Sequence, residues 1–254
     1  WAECYTGDLG AMFLDGWTAT PTAGARPMIY AAPGHAGSAG GEAGAHIKAT
    51  GWGASCLNVY VPYTVVEGLG LSNDGVEQRP VRVDADHIVF RQLHMSFLGN
   101  TGSYTALVYW DIDTGGHLTL ENCHLEVWDK NGAGGLMGVY MTGSPGVPVH
   151  LTMHHCTIAQ IPNCSWFDAA VRLRVTGGDY AASSVTIKNC SFVGCQTGIQ
   201  ITNYPPGAMD ISYTATSDGT ADDWGGDGNL VNQSTEVYGD YTAGDYRPAK
   251  DGPL

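Results

Sequence analysis

Four octapeptides in this chain align without gaps, and they constrain its fold more than any other feature. They are Ile88-Val-Phe-Arg-Gln-Leu-His-Met95, Leu118-Thr-Leu-Glu-Asn-Cys-His-Leu125, Leu151-Thr-Met-His-His-Cys-Thr-Ile158 and Val185-Thr-Ile-Lys-Asn-Cys-Ser-Phe192. A fifth, Thr64-Val-Val-Glu-Gly-Leu-Gly-Leu71, fits more loosely. Each reads apolar, x, apolar, x, x, apolar, x, apolar. Strict alternation marks a strand with one face buried. The doubled x in the middle shifts the phase by one residue, so a chain that keeps the same side inward must bend there. Each octapeptide is therefore expected to be two short strands joined at a corner. The corners fall at Gly68, Gln92, Asn122, His155 and Asn189, of which four are polar residues able to hydrogen-bond local backbone.

Equivalent positions Val66, Phe90, Leu120, Met153 and Ile187 are 24, 30, 33 and 34 residues apart. Repeats of this period mean stacked coils, each burying its apolar side against the next. A second set of strands lies between the corners: Val81–Val83, Thr105–Trp110, Gly135–Met141, Ala170–Val175 and Gly198–Ile201. Gly- and Asn-rich words connect them, and no helical period of useful length appears. The reading is an all-β chain, a right-handed parallel β-helix solenoid with irregular capping segments at both ends. One domain, 1–254, is expected, with an N-terminal cap and first coils over 1–60, regular coils over 61–203 and a C-terminal cap over 204–254. Stacking would place Leu69, Leu93, Cys123, Cys156 and Cys190 in one interior column. The seven cysteines are odd in number and form no CxxC, against a disulfide framework or a zinc site. They read as small core hydrophobes.

The composition narrows the partners. Charged residues make up 14% of the chain, against about 25% in ordinary globular proteins. The formal net charge is −14, which repels phosphate backbones and anionic lipid, so neither nucleic acid nor a membrane is an expected partner. No apolar run of about eighteen residues occurs, and no signal peptide is visible. A chain that begins at Trp1 is expected to be a processed product or a piece of a longer protein.

Both ends carry familiar words. Asp245-Tyr246-Arg247 followed by Gly252-Pro253 resembles the closing segment of pectin-lyase-like β-helix proteins, without the acidic stretch that usually follows. Glu3-Cys4-Tyr5-Thr6-Gly7-Asp8-Leu9, Tyr30-Ala-Ala-Pro-Gly-His35 and Tyr63-Thr-Val-Val-Glu-Gly-Leu69 resemble β-helix proteins encoded by tailed bacteriophages. The resemblance implies a virion component: a capsid decoration (cement) protein or a tail-associated spike, commonly a homotrimer. Its partners would then be its own copies and capsid or tail proteins, with surface polysaccharide as a further contact, and its place the virion surface. The alternative is a secreted polysaccharide-degrading β-helix, a depolymerase, lyase or glycoside hydrolase.

The chemistry-bearing residues are sparse. A lyase needs a base, and Arg91, Arg172, Arg174 and Lys188 lie on strand faces, but no dense Asp cluster is in register with them. A hydrolase needs two carboxylates a few ångström apart. Asp111 and Asp113 lie two apart on a strand, hence on one face, and are the weak catalytic candidates; Asp84 and Asp86 form a similar pair one coil earlier. Trp110 is the weak candidate for stacking a sugar, although alternation sends it to the opposite face. Asp222, Asp223 and Asp227 could offer oxygens to calcium, but they lack a fixed loop spacing and read as an acidic loop. His94 and His124 share a repeat position and should stack on the outside, as a surface ladder or a metal contact. No cofactor and no resident metal are expected.

Overall fold

The computed structural model describes residues 2–4, 7–8, 12–14, 21–34, 36, 44–49, 55–73, 79–97, 105–112, 115–127, 135–143, 147–160, 167–175, 182–202, 209–232, 238–240 and 245–248. Their strands form three parallel sheets, and the chain visits the sheets in rotation. The first sheet stacks eight strands, from Ala2–Cys4 through Val65–Glu67, Ile88–Arg91, Gly116–Glu121, Val149–His154 and Ser184–Lys188 to Met209–Ser212. The second also stacks eight, from Gly7–Asp8 through His94–Phe97 and His124–Val127 to Ala215–Thr216. The third holds seven, among them Val81–Val83, Thr105–Ile112, Leu136–Gly143, Phe167–Val175 and Thr197–Thr202. This is a parallel β-helix. No α-helix occurs among the described residues; Asp222–Trp224 is one 3₁₀ turn.

The register follows the repeat residue by residue. Ile29, Val66, Phe90, Leu120, Met153, Ile187 and Ile211 face one another across seven successive strands of the first sheet. All but Ile29, at 2% exposure, are completely buried. Stacking runs one coil past residue 202, because Met209–Ser212 and Ala215–Thr216 extend the first two sheets. A short antiparallel pair, Tyr238–Asp240 with Asp245–Pro248, stands apart from the three sheets.

The corner between the first and second sheets has a physical cause beyond polarity. Gly68, Gln92, Asn122, His155 and Asn189 all have positive φ, between 51° and 72°, and Tyr213 continues the column at 52°. One left-handed residue turns the strand while both flanks keep their apolar side inward. The backbone N–H of each donates to a carbonyl one coil on: Gln92 to Glu121, Asn122 to His154, His155 to Lys188 and Asn189 to Ser212. The corner thus stacks as regularly as the sheets do.

Immediately after each corner the interior column predicted from sequence is present. Leu69, Leu93, Cys123, Cys156 and Cys190 are at most 3% exposed. The three cysteines are free thiols, as are Cys4, Cys56 and Cys195; Cys164 lies outside the described residues. The Cys156 Sγ lies 3.4 Å from the Leu120 carbonyl and 3.3 Å from that of His154. Burial pushes the Cys123 and Cys190 thiols well up, and that of Cys195 up to about 12. Above them, Thr214 takes the same place and donates toward the Ile187 and Ser212 carbonyls, so a hydroxyl closes the thiol column.

Candidate functional site

The outward face of the third sheet is where the catalytic candidates fall. Asn58, Arg82, Tyr109, Tyr140, Arg172 and Gln200 are in register along it. The Arg79 guanidinium lies 3.5 Å above the Tyr109 ring, and Tyr109 and Tyr140 are 5.6 Å apart between centroids. Both tyrosines pack on a small apolar cluster, Ala106, Met137 and Ala169, separate from the main core. Asp111 is half-buried, with its carboxylate 3.7 Å from the Arg82 guanidinium. Burial, with the Asp111 charge, pushes the Tyr109 phenol up.

Trp110 is fully buried in the core, so it is removed from the candidate sugar-binding residues. The reason is alternation: Val108 and Trp110 fill the interior while Tyr109 and Asp111 face out. Asp113 lies outside the described residues, so Asp111 is the one member of the carboxylate pair that the structure places. Three of the four basic candidates are held in ion pairs, Arg91 with Glu121 at 2.6 Å, Arg172 with Asp168 at 2.8 Å and Lys188 with Asp210 at 2.5 Å, and Arg174 is exposed.

The acidic turn near the end of the solenoid is held by Asn229. Asp222, Asp223 and Asp227 are exposed, whereas Asn229 ties the turn down. Its Oδ1 accepts from the Thr214 N–H and its Nδ2 donates to the Ile211 and Ala221 carbonyls. Gly226, at φ 113°, passes so close to the Ile211 carbonyl that a Cβ would sit 1.8 Å from its oxygen.

Two clusters of histidine and carboxylate bring together groups the sequence did not fully assign. The first is a ladder on the corner that leads into the first sheet. Tyr63, His87, His117 and His150 stack at centroid separations of 4.5, 4.4 and 4.3 Å. Asp86 anchors it. Its Oδ1 accepts from the backbone N–H groups of His87 and His117, at 2.6 and 2.7 Å, and lies 3.2 Å from the His117 ring nitrogen. Burial pushes the Asp86 carboxyl up, but the hydrogen bonds from His117 and the charge on His87 outweigh it, and the net shift is down. Burial and the neighbouring His117 charge push His150 down.

The second cluster lies on the second sheet. His94 and His124 are direct register partners, their rings stacked at 4.9 Å, as the shared repeat position predicts. They are not on an exposed outer face: His94 is 8% exposed and His124 half-buried. Glu126, 3% exposed, lies beside both Nε2 atoms. Its Oε1 is 2.7 Å from the His124 Nε2 and its Oε2 is 3.5 Å from the His94 Nε2. Burial pushes the Glu126 carboxyl up, but hydrogen bonds from His124 and His94 and their charge pull it far below the usual range. Glu126 escaped the sequence reading, yet a signal existed: it follows His124 by two, hence shares its face. Each cluster sets two imidazoles and a carboxylate with their donor atoms within 4.8 Å of one another, a donor set that suits a borderline divalent ion.

The described residues define a solenoid with a side-chain-filled interior, and two histidine–carboxylate clusters lie outside that shared core. No protein-family model, no curated protein and no solved structure matches the chain.

Proposed function

We propose that this chain is a structural, non-enzymatic protein of a tailed-phage particle. It is a rigid β-helix docked on the capsid as decoration or cement, or on the tail as a spike component, and it touches host glycans with its outer faces. The observation that carries the structural reading is the unbroken register of the first sheet from Ile29 to Ile211, over a filled core. Each coil is hydrogen-bonded to its neighbours on three sides, so bending or local opening must break several ladders together. That is the mechanical property a particle-borne rod needs. The virion assignment rests on the terminal words, Glu3–Leu9, Tyr30–His35 and Tyr63–Leu69.

Self-association as a homotrimer belongs to this proposal, and the third sheet is the face we assign to it. It concentrates Arg79, Arg82, Arg172 and Arg174, four of the eleven basic residues of an acidic chain, around Tyr109 and Tyr140. Arginine and tyrosine are the residue types enriched where protein surfaces meet.

The enzymatic alternative loses its stacking residue to the core, and its placed carboxylate faces an arginine. The test is sugar release from host capsule or exopolysaccharide by the wild type and by an Asp111→Asn, Asp113→Asn double variant. No release above buffer is the expected result. Release by the wild type that vanishes in the variant would make the protein a depolymerase.

A further inference from the structure

We infer that His94, His124 and Glu126 form a binding site for a borderline divalent metal ion of the zinc class, which bridges two successive coils of the solenoid. This goes beyond the structural role above and does not depend on where the protein resides.

The argument begins with strand geometry. Neighbouring strands of a parallel sheet are about 4.8 Å apart, and residues two apart on one strand share a face. His94 and His124 sit side by side on adjacent strands, and Glu126 lies two further along the strand of His124. Three donors therefore converge from two coils: the Nε2 of His94, the Nε2 of His124 and one carboxylate oxygen of Glu126. The His124 Nε2 is hydrogen-bonded to the Glu126 Oε1 at 2.7 Å, a bond the ion would replace, and the His94 Nε2 is 3.5 Å from the Oε2; the three donor groups lie within 4.8 Å of one another, so small rotations of the rings bring them around one ion. Two imidazoles and one carboxylate with an open fourth position is a recurrent zinc ligand set. Nitrogen donors select zinc-class ions over calcium and magnesium.

The independent observation is His94. It is 92% buried, and the partner of its Nε2 is the Glu126 Oε2 at 3.5 Å, a long contact that leaves the nitrogen poorly satisfied. A buried polar nitrogen held only by so long a contact is destabilising, and a metal ion at this point would satisfy it. The surface ladder of Asp86, His87 and His117 differs here, since Asp86 is already held by two backbone N–H groups and by the His117 ring. The His124 side chain is 24% exposed and gives the ion a way in.

The test uses the full chain, stripped with chelator and titrated with zinc chloride by calorimetry, with cobalt(II) absorption as a report on the ligands. One ion per chain is expected, with cobalt ligand-field bands of a nitrogen–oxygen site. Zinc at a hundredfold excess over its Kd should raise Tm by roughly 5–10 °C. His124→Ala and His124→Gln should each weaken binding at least about tenfold, the scale of disturbing even an outer partner of a metal. His117→Ala should leave binding unchanged. Circular dichroism of each variant separates lost binding from lost folding, and the wild-type cobalt spectrum stands whether or not a variant folds. The proposal is overturned by no saturable zinc binding, by unchanged affinity in a folded His124 variant, or by binding that His117→Ala abolishes.

Discussion

The residue on which most of the architecture turns is the left-handed corner. A non-glycine residue in that conformation costs about 1–2 kcal/mol, less for asparagine, whose short side chain tolerates it. His155 and Gln92 hold it at φ 53° and 51°, so His155→Gly should leave the protein equally or slightly more stable, the gain offset in part by chain entropy. Asn122→Val should destabilise it by about 1–3 kcal/mol, because a β-branched residue resists positive φ. Thermal denaturation of the two variants checks both signs. The interior column makes an opposite demand. Cys156→Asp should cost several kcal/mol or prevent folding, since it buries a charge among free thiols and carbonyls. Equal stability to wild type would mean the column opens to water.

At the scale of the element, the histidine ladder makes stability depend on pH in two windows. His150 has a folded pKa below its unfolded value, so the unfolded chain binds its proton first. Stability should therefore fall as pH drops below about 6.5, the ordinary histidine value. Asp86 is also shifted down, which means its contribution is complete above about 3.9 and is lost as pH falls through its lower folded value. Melting temperatures from pH 8 to 3 should show both declines, with His150→Gln flattening the first and Asp86→Asn the second. A flat profile in the wild type would remove the ladder from the account.

The strands and their register were legible in the sequence because the phase shift at each corner is written in side-chain polarity. The frame of Val66, Phe90, Leu120, Met153 and Ile187 is the register of the first sheet. What polarity does not record is backbone φ, so the left-handed corner was read only as a bend with polar residues. Outward clusters were harder still. The shared repeat position paired His94 with His124, and alternation puts Glu126 on the face of His124, but Glu126 lies just past the octapeptide and was not read with them. The ladder of His87, His117 and His150 was written in the repeat as well, since each directly precedes an octapeptide, but the alignment stopped one residue short of it. Trp110 was ambiguous for a different reason: its neighbour Asp111 is a polar outward residue, and only the filled interior shows that the indole is core.

As a whole molecule, the chain behaves as one stack rather than a set of parts. Three sheets share one hydrophobic core that runs from Cys4 to Ile211. The low charge content is tolerated because repetitive polar and aromatic side chains cover the outer faces, and exposed large hydrophobics among the described residues come down to Tyr60 and Tyr213. On the reading proposed above, its function is carried by its faces: the arginine–tyrosine sheet for its own copies or a particle surface, and the His94, His124 and Glu126 cluster for an ion. The central claim, a structural rod borne on a virus particle, is met most directly by immunogold electron microscopy of the source particles with antibody raised against this chain. The account predicts gold at regular positions on the capsid or tail. Particles that carry no label, with the chain recovered only free in the medium, would contradict it.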